Sequence, residues 1–404
     1  MVNNDKEIHI LISGASVAGL CSAYWLARYG FKLTVVERAP YLRPGGQALD
    51  VRGPALEVAD RMGILEALQE HRTRLTGMSS VDAAGQEIYR NTERTLTGGR
   101  FDSPDIEILR DDLCKILYEA VDEKVEFLFD DRIISIAQDE SGVDVAFANA
   151  APRHFDLLIG ADGLHSGVRK LAFGPEEDFI HRLGDWYVAT FGMPNFLGLE
   201  HWEVFFNDEA AGVGAMLMGL RKDADVRAYV GFSSAEPLDY DYRDIATQKQ
   251  IVAERVAGAG WVLPQIVDHM MRAEDFHFDS TSQICMDSWS NGRVVLVGDA
   301  AYSIALASGQ GTTVAMVGAY VLAGELAVHK DALIAGLAAY EQQLRDYVLR
   351  NQEVARETNI EMDTISGESV EPGETDEAGI SSAPPDFGQL VQPFNLNDYA
   401  GFVK

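Results

Sequence analysis

Cysteine is scarce in this chain of 404 residues: Cys21, Cys114 and Cys285 are the full complement. All three sit in apolar-patterned segments without the spacing of a metal cluster, so they read as buried reduced thiols and point to a cytoplasmic protein. Basic residues are scarce too, 33 Lys and Arg against 63 Asp and Glu, a net charge of −30. A surface of that sign repels a phosphate backbone and argues against nucleic acid as a partner. No apolar run reaches the roughly 18 uncharged residues of a membrane span. The opening residues Met1–Ile8 lack the basic start and apolar middle of a secretion signal, so no stable membrane association is expected. There is no Gly-x-Ser-x-Gly elbow for hydrolase chemistry. The nine histidines are scattered, and no metal is expected.

What is present starts at the N-terminus. A β-rich run, EIHILIS, leads into Gly14-Ala15-Ser16-Val17-Ala18-Gly19, then an apolar helical stretch to Tyr29, then a second strand-like run ending in Glu37. Strand, glycine turn, helix, strand and acid is the order of a dinucleotide-binding unit. Gly14 permits the turn, Gly19 lets the helix approach the strand, and the helix N-terminus offers free N–H groups to a pyrophosphate. Ser16 stands where the middle glycine is usual, which narrows the approach slightly. Glu37 is placed to accept hydrogen bonds from a ribose. A hydrogen bond to a charged group contributes about 1.5–3 kcal/mol. This unit alone does not separate NAD from FAD.

Two later segments do. Residues 156–169 read DLLIGADGLHSGVR, with Asp162 and Gly163 at the strand's end. Residues 293–311 read RVVLVGDAAYSIALASGQG, a buried strand ending in Asp299 and a turn, Ser308-Gly309-Gln310-Gly311, that starts a helix at Thr312. A strand-end acid before small residues and a helix can hold ribityl hydroxyls. Free N–H groups at the later helix start suit negative charge growing on a flavin ring.

With the opening turn, these segments resemble the three signatures of class A flavoprotein monooxygenases, the para-hydroxybenzoate hydroxylase fold, over roughly residues 7–345. Finer features look like the tetracycline destructase branch: the loop Gly45-Gly46-Gln47-Ala48-Leu49-Asp50-Val51-Arg52-Gly53, the run Pro194–Leu199, Tyr302, and the helix Val317–Leu326. The resemblance implies FAD contacts from Gly14, Ser16, Ala18, Gly19, Glu37, Arg38, Gly46, Gln47, Arg110, Asp162, Asp299, Gly309, Gln310, Gly311 and Thr312. Arg110 opens an amphipathic helix, where the dipole does not favour a cation, which supports a functional role. The sequence departs from the family at Leu306, where proline is usual, and at Thr313, where asparagine is usual.

The fold so implied is α/β: a Rossmann-like FAD-binding domain interleaved with a β-sheet substrate domain, and a long C-terminal helix. The expected boundaries are 1–180 for the first part of the FAD domain, with a substrate-domain insertion near 75–105, then 181–285 for the substrate domain, 286–330 for the second part of the FAD domain, and 331–404 for a bracing helix and acidic tail. Strands alternating in residues 180–285 make Phe191, Met216 and Phe232 candidates to line an apolar pocket, with plain core as the equal alternative. Residues 357–380, with eight carboxylates and no Lys or Arg, read as a mobile linker or loop. Residues 387–404 read either as a lid that folds back or as disordered.

The implied activity is an NADPH- or NADH-dependent monooxygenation by O2, through a flavin C4a-hydroperoxide, of a polycyclic aromatic or enol substrate, tetracyclines included. The chemistry is cofactor-borne, so no catalytic side chain is assigned, and the protein is expected to be a monomer. The alternatives are a tailoring hydroxylase of aromatic polyketides, an FAD or small-molecule sensor, an NAD-linked dehydrogenase and a flavin-dependent halogenase. The last is disfavoured because no two of the five tryptophans form the Trp-x-Trp segment of that family.

Overall fold

The computed structural model describes residues 7–305, 309–367 and 390–403, with side chains on the last long helix described to residue 358. Leu306, Ser308 and residues 368–389 lie outside the described residues, and with them the departure from proline and most of the acidic segment.

Strands His9–Ser13, Lys32–Val36 and Leu157–Gly160 are runs of β-branched and leucine residues. A strand that is apolar on both faces is stable only with cover on both sides, the condition of a parallel sheet among helices. They lie in a six-stranded sheet with the order Ser290–Asn291, Val294–Leu296, Leu157–Gly160, His9–Ser13, Lys32–Val36, Glu126–Leu128. Every neighbouring pair is parallel except the edge hairpin Ser290–Asn291 with Val294–Leu296. Helices Val17–Arg28 and Gly311–Val328 join this sheet in one core, and Trp25 meets Tyr320 edge to face at 4.9 Å. Helix Gly311–Val328 is long and apolar enough to cross a bilayer, but it is buried almost throughout and is a core helix.

The second sheet has seven strands in the order His277–Ile284, Ile180–Met193, Val226–Ser233, Val213–Gly219, Trp202–Asp208, Met78–Val81, Glu87–Asn91. Its last two strands come from a part of the chain that precedes most of the nucleotide fold. One face packs on helices Ile245–Arg255 and Leu263–Met270 through Val252, Leu263, Ile266 and Met270. The other face turns toward the glycine-rich loop at residues 45–53: the backbone N–H of Ala48 donates to the Tyr229 hydroxyl at 2.8 Å.

Helix Leu333–Gly367 ties the halves together. Gln352 donates to the carbonyls of Ile284 (2.8 Å) and Ser303 (3.2 Å), and Arg356 donates to the Gln283 side chain at 2.9 Å. Over residues 357–367 this helix corrects the reading of residues 357–380 as loop, since it continues to Gly367; residues 368–380 lie outside the described residues. Its start in a packed core supplies the nucleus, and Glu, Met and Ile propagate a helix at little cost despite the like charges. The described C-terminal residues 390–403 fold back on the core helices. The Tyr399 ring fills the space over Gly324, and its hydroxyl lies 2.6 Å from a Glu325 carboxylate oxygen. Val391 sits where a side chain at Gly53 would go.

Candidate active site

The opening turn is built for close approach. Gly14 has φ 106°, and a Cβ there would lie 2.4 Å from the Ala161 carbonyl oxygen. At Gly19 a Cβ would lie 1.9 Å from the carbonyl oxygen of Gly14, so only glycine lets the helix start this near the strand. Ser16 is the N-cap residue of helix Val17–Arg28, and its hydroxyl makes no cap but lies 3.7 Å from the Cys114 sulfur. The first-turn N–H groups, Ala18 and Gly19 included, have no acceptor within the helix by geometry and face the strand ends. Glu37 spends one carboxylate oxygen on the N–H of Ala15 and the other on the N–H of Ala39, both at 2.8 Å. It therefore staples the turn, with lone pairs remaining for a ribose. Arg38 beside it is exposed.

Arg110 is the first residue of helix Arg110–Ala120, and it is buried. Its guanidinium donates to the carbonyl of Gly45 from Nε (3.1 Å) and Nη2 (2.9 Å), and to that of Arg43. Its own N–H donates to the Gln47 carbonyl at 3.1 Å. Gly46, at φ 107°, leaves room for the Arg110 side chain, which a Cβ would meet at 2.4 Å. Arg110 thus sets the shape of the 43–47 loop, and Asp111 and Asp112 behind it satisfy the helix dipole that the arginine does not.

The two distal signatures are joined by a residue whose importance the sequence hid. Arg169 is fully buried and donates to Ala300 at 2.9 Å and to the Leu164 carbonyl, linking the Asp162 loop to the Asp299 helix. Asp162 turns inward: it accepts from the Ser166 hydroxyl and from the Val168 N–H at 3.1 Å, and burial raises its pKa. Asp299 opens the short helix Asp299–Tyr302 after Gly298, which has φ 66°. Its surface is open to solvent, yet the protein massed around it, and then Asp279, push its carboxyl up to about 6. That combination belongs to a group on the wall of a cleft.

Gly309 has φ 61°, and Gln310 precedes helix Gly311–Val328 as its buried N-cap residue. Thr312 is buried in the first turn. The Thr313 hydroxyl accepts from the Arg52 N–H at 3.2 Å, so the residue found in place of asparagine fastens the 45–53 loop to the helix start. Ala305, just before the undescribed stretch, holds the left-handed region at φ 72°. A Cβ on Gly163 or Gly311 would meet nothing within 4 Å, so both turns look into open space. Glycine turns, an enclosed acid and two helix starts form a cradle whose donors and acceptors fit an extended dinucleotide such as FAD.

Opposite the 45–53 loop, strand register sets out the inner face of the seven-stranded sheet. One row across it is Phe205, Met216, Tyr229, Thr190 and His277, and the next is Asn207, Gly214, Gly231, Val188 and Asp279. Met216 therefore faces the loop. Phe191 and Phe232 do not. They pack in the outer core, Phe191 against Phe276 (6.4 Å) and Phe232 against Tyr187 (5.7 Å) and Phe278 (6.0 Å). Of the two readings, pocket wall and plain core, these two residues take the core: in alternating strands odd and even positions take opposite faces, and theirs is the face away from the loop. Burial lowers the pKa of His277. Asp279 and Glu176 clasp His165 at 3.0 and 2.9 Å. Burial opposes the charged imidazole, but those hydrogen bonds and charges outweigh it and raise its pKa to about 9.

Behind the 45–53 loop lies a buried acidic group that sequence inspection missed. Arg52 is fully buried and pairs with Asp50 at 3.0 Å. Glu203 takes the Leu96 N–H at 2.9 Å and the Thr97 hydroxyl, while Glu107 takes the Thr73 hydroxyl at 2.6 Å. Burial, then Glu107, push Glu203 up to about 8, and burial pushes Asp50 up to about 7. Among the described residues, no group of three or more His, Cys, Asp or Glu is arranged to hold a metal ion.

Residues 7–355 match the family model described as FAD binding domain. An uncharacterized protein of Mycobacterium tuberculosis is 48% identical over 96% of this chain and 99% of its own length. A flavin-dependent monooxygenase of Legionella longbeachae is 38% identical over 91% of this chain and 93% of its own. The crystal structure of tetracycline destructase Tet(51) is 32% identical, with a TM-score of 0.84, over 97% of this chain and 100% of that one.

Proposed function

The chain belongs to the FAD binding domain family and is an FAD-dependent monooxygenase, and from that premise we propose that it uses NADPH or NADH to place one oxygen atom of O2 on a polycyclic aromatic or enol substrate, with tetracyclines in the candidate class. Bound FAD supplies the activation of dioxygen. The side chains position and enclose. In this reading the turn at Gly14–Gly19 and the helix start behind it take the pyrophosphate, Glu37 takes the adenosine ribose, and Asp299 takes the ribityl hydroxyls. The N–H groups from Gly309 to Thr312 face the ring where negative charge grows on reduction. Arg110 and Thr313 keep the 45–53 loop in place against it.

The observation that supports this most is the sheet face held over that loop by the bond from Ala48 to Tyr229. It gives a broad wall that mixes apolar Phe205 and Met216 with polar Tyr229, Thr190 and His277, and in this reading it keeps water from the reacting centre. The likeness to a tetracycline destructase structure along the whole chain supports the substrate class. The test is a panel of tetracyclines and aromatic polyketides added to the purified yellow protein with NADPH or NADH. At least one compound should accelerate reductant oxidation together with O2 uptake. If none changes the basal rate, the substrate class is wrong.

A further inference from the structure

Two features of the inner sheet face have no role in holding FAD. The first is Trp186. It is half-buried, and its ring lies across two glycines of neighbouring strands: a Cβ on Gly231 would meet it at 3.2 Å, and one on Gly214 at 3.8 Å. Those two positions are bare, so the ring can lie against the sheet as a smooth plate beside Met216 and Phe205. The second is Thr190, four residues on and on the same face. Its side chain is 6% exposed, and its hydroxyl oxygen, sealed from solvent, has no hydrogen-bond partner among the described residues. A buried hydroxyl left unbonded is unfavourable, and such a cost persists where a ligand removes it. In register, Thr190 stands between Tyr229, which meets the loop, and His277.

We propose that Trp186 and Thr190 determine substrate specificity: Trp186 stacks on one face of a planar fused-ring substrate, and the Thr190 hydroxyl bonds an oxygen on that substrate's edge. This rests on the monooxygenase reading above. It narrows the substrate class to flat, at least three-ring molecules that carry a hydroxyl or carbonyl at one rim. The plate gives affinity that is indifferent to substituents, and the hydroxyl gives discrimination, because an analogue without the rim oxygen leaves Thr190 unpaired.

The test uses the FAD-loaded protein and reads binding from the perturbation of the flavin absorption bands, without turnover. The probes are a dihydroxyanthracene and the parent anthracene, which carries no oxygen. The wild type should prefer the dihydroxy compound by roughly three- to tenfold, the range of one hydrogen bond. Thr190→Val should bring that ratio to about one while leaving anthracene affinity in place, and Thr190→Ser should restore it. Trp186→Ala should weaken both probes by roughly three- to tenfold with the ratio intact, and Trp186→Phe should keep most of the affinity. A merely structural role would shift both probes in Thr190→Val and leave the ratio as it was, which overturns the assignment. So would Trp186→Ala binding both probes as tightly as the wild type. If the wild type takes up FAD but binds neither probe, this inference falls and the cofactor reading stands; if it takes up no FAD, the reading beneath it falls as well.

Discussion

The carboxyl of Asp299 is open to solvent and yet enclosed enough to be pushed up to about 6. An acid in that position can accept hydrogen bonds from a ligand's hydroxyl groups. Asp299→Ala should therefore yield largely colourless protein, with FAD retention after dialysis as the measurement; an equally yellow variant would remove Asp299 from the site. Glu203 makes a different case. Its pKa rises from 4.5 to about 8 through burial and then Glu107. A raised acid favours the folded state while protonated, so stability is greatest below the ordinary carboxyl range and falls as pH climbs through about 8. Glu203→Gln removes that titration. Thermal melts from about pH 5 to about pH 9 should show a flatter decline in the variant than in the wild type; parallel curves would mean that Glu203 is ionised in the fold throughout.

At the scale of elements, the strands show what sequence patterning can and cannot say. The glycine turn, the strand-end acids Glu37 and Asp299 and the helix starts were legible because each depends on residues near in the chain. The phase of the substrate sheet was not, because alternation separates two faces without naming the one that meets the cofactor. Register with its neighbours turns Phe232 outward and Met216 inward. Phe232→Ala should cost about 3–5 kcal/mol of stability by denaturant titration and leave substrate affinity near normal in the surviving fold. Met216→Ala, also at a buried position, should cost about 2–5 kcal/mol and, unlike Phe232→Ala, weaken substrate as well. If Phe232→Ala abolishes substrate binding at unchanged stability, the face assignment is inverted. The roles of Arg52, Arg169 and Glu203 were not legible for a related reason. Charged residues are almost never fully buried without partners, and their partners here, such as Thr97, Ala300 and Leu96, are recognisable only after folding.

At the scale of the molecule, two sheets with separate cores are held in register by a few long-range links. These are the helix Leu333–Gly367, the bond from Ala48 to Tyr229, the Arg169 bridge, and the C-terminal segment closed by Tyr399 on Glu325 and Gln343. Tyr399→Phe leaves the Glu325 carboxylate without that donor in a buried position and should lower stability by about 1–3 kcal/mol, read from chemical denaturation; no change would show that the segment merely rests on the core. The links matter because, in the proposed reading, the cofactor lies against one sheet and the substrate against the other, so that chemistry requires both to hold one geometry. Oxygen transfer tests that requirement most directly. Turnover of the best substrate in the panel, under isotopically labelled O2 with NADPH or NADH, should give a product carrying one labelled oxygen atom in step with the reductant consumed. Reductant consumed with only hydrogen peroxide released, or a product whose added oxygen comes from water, would contradict the account.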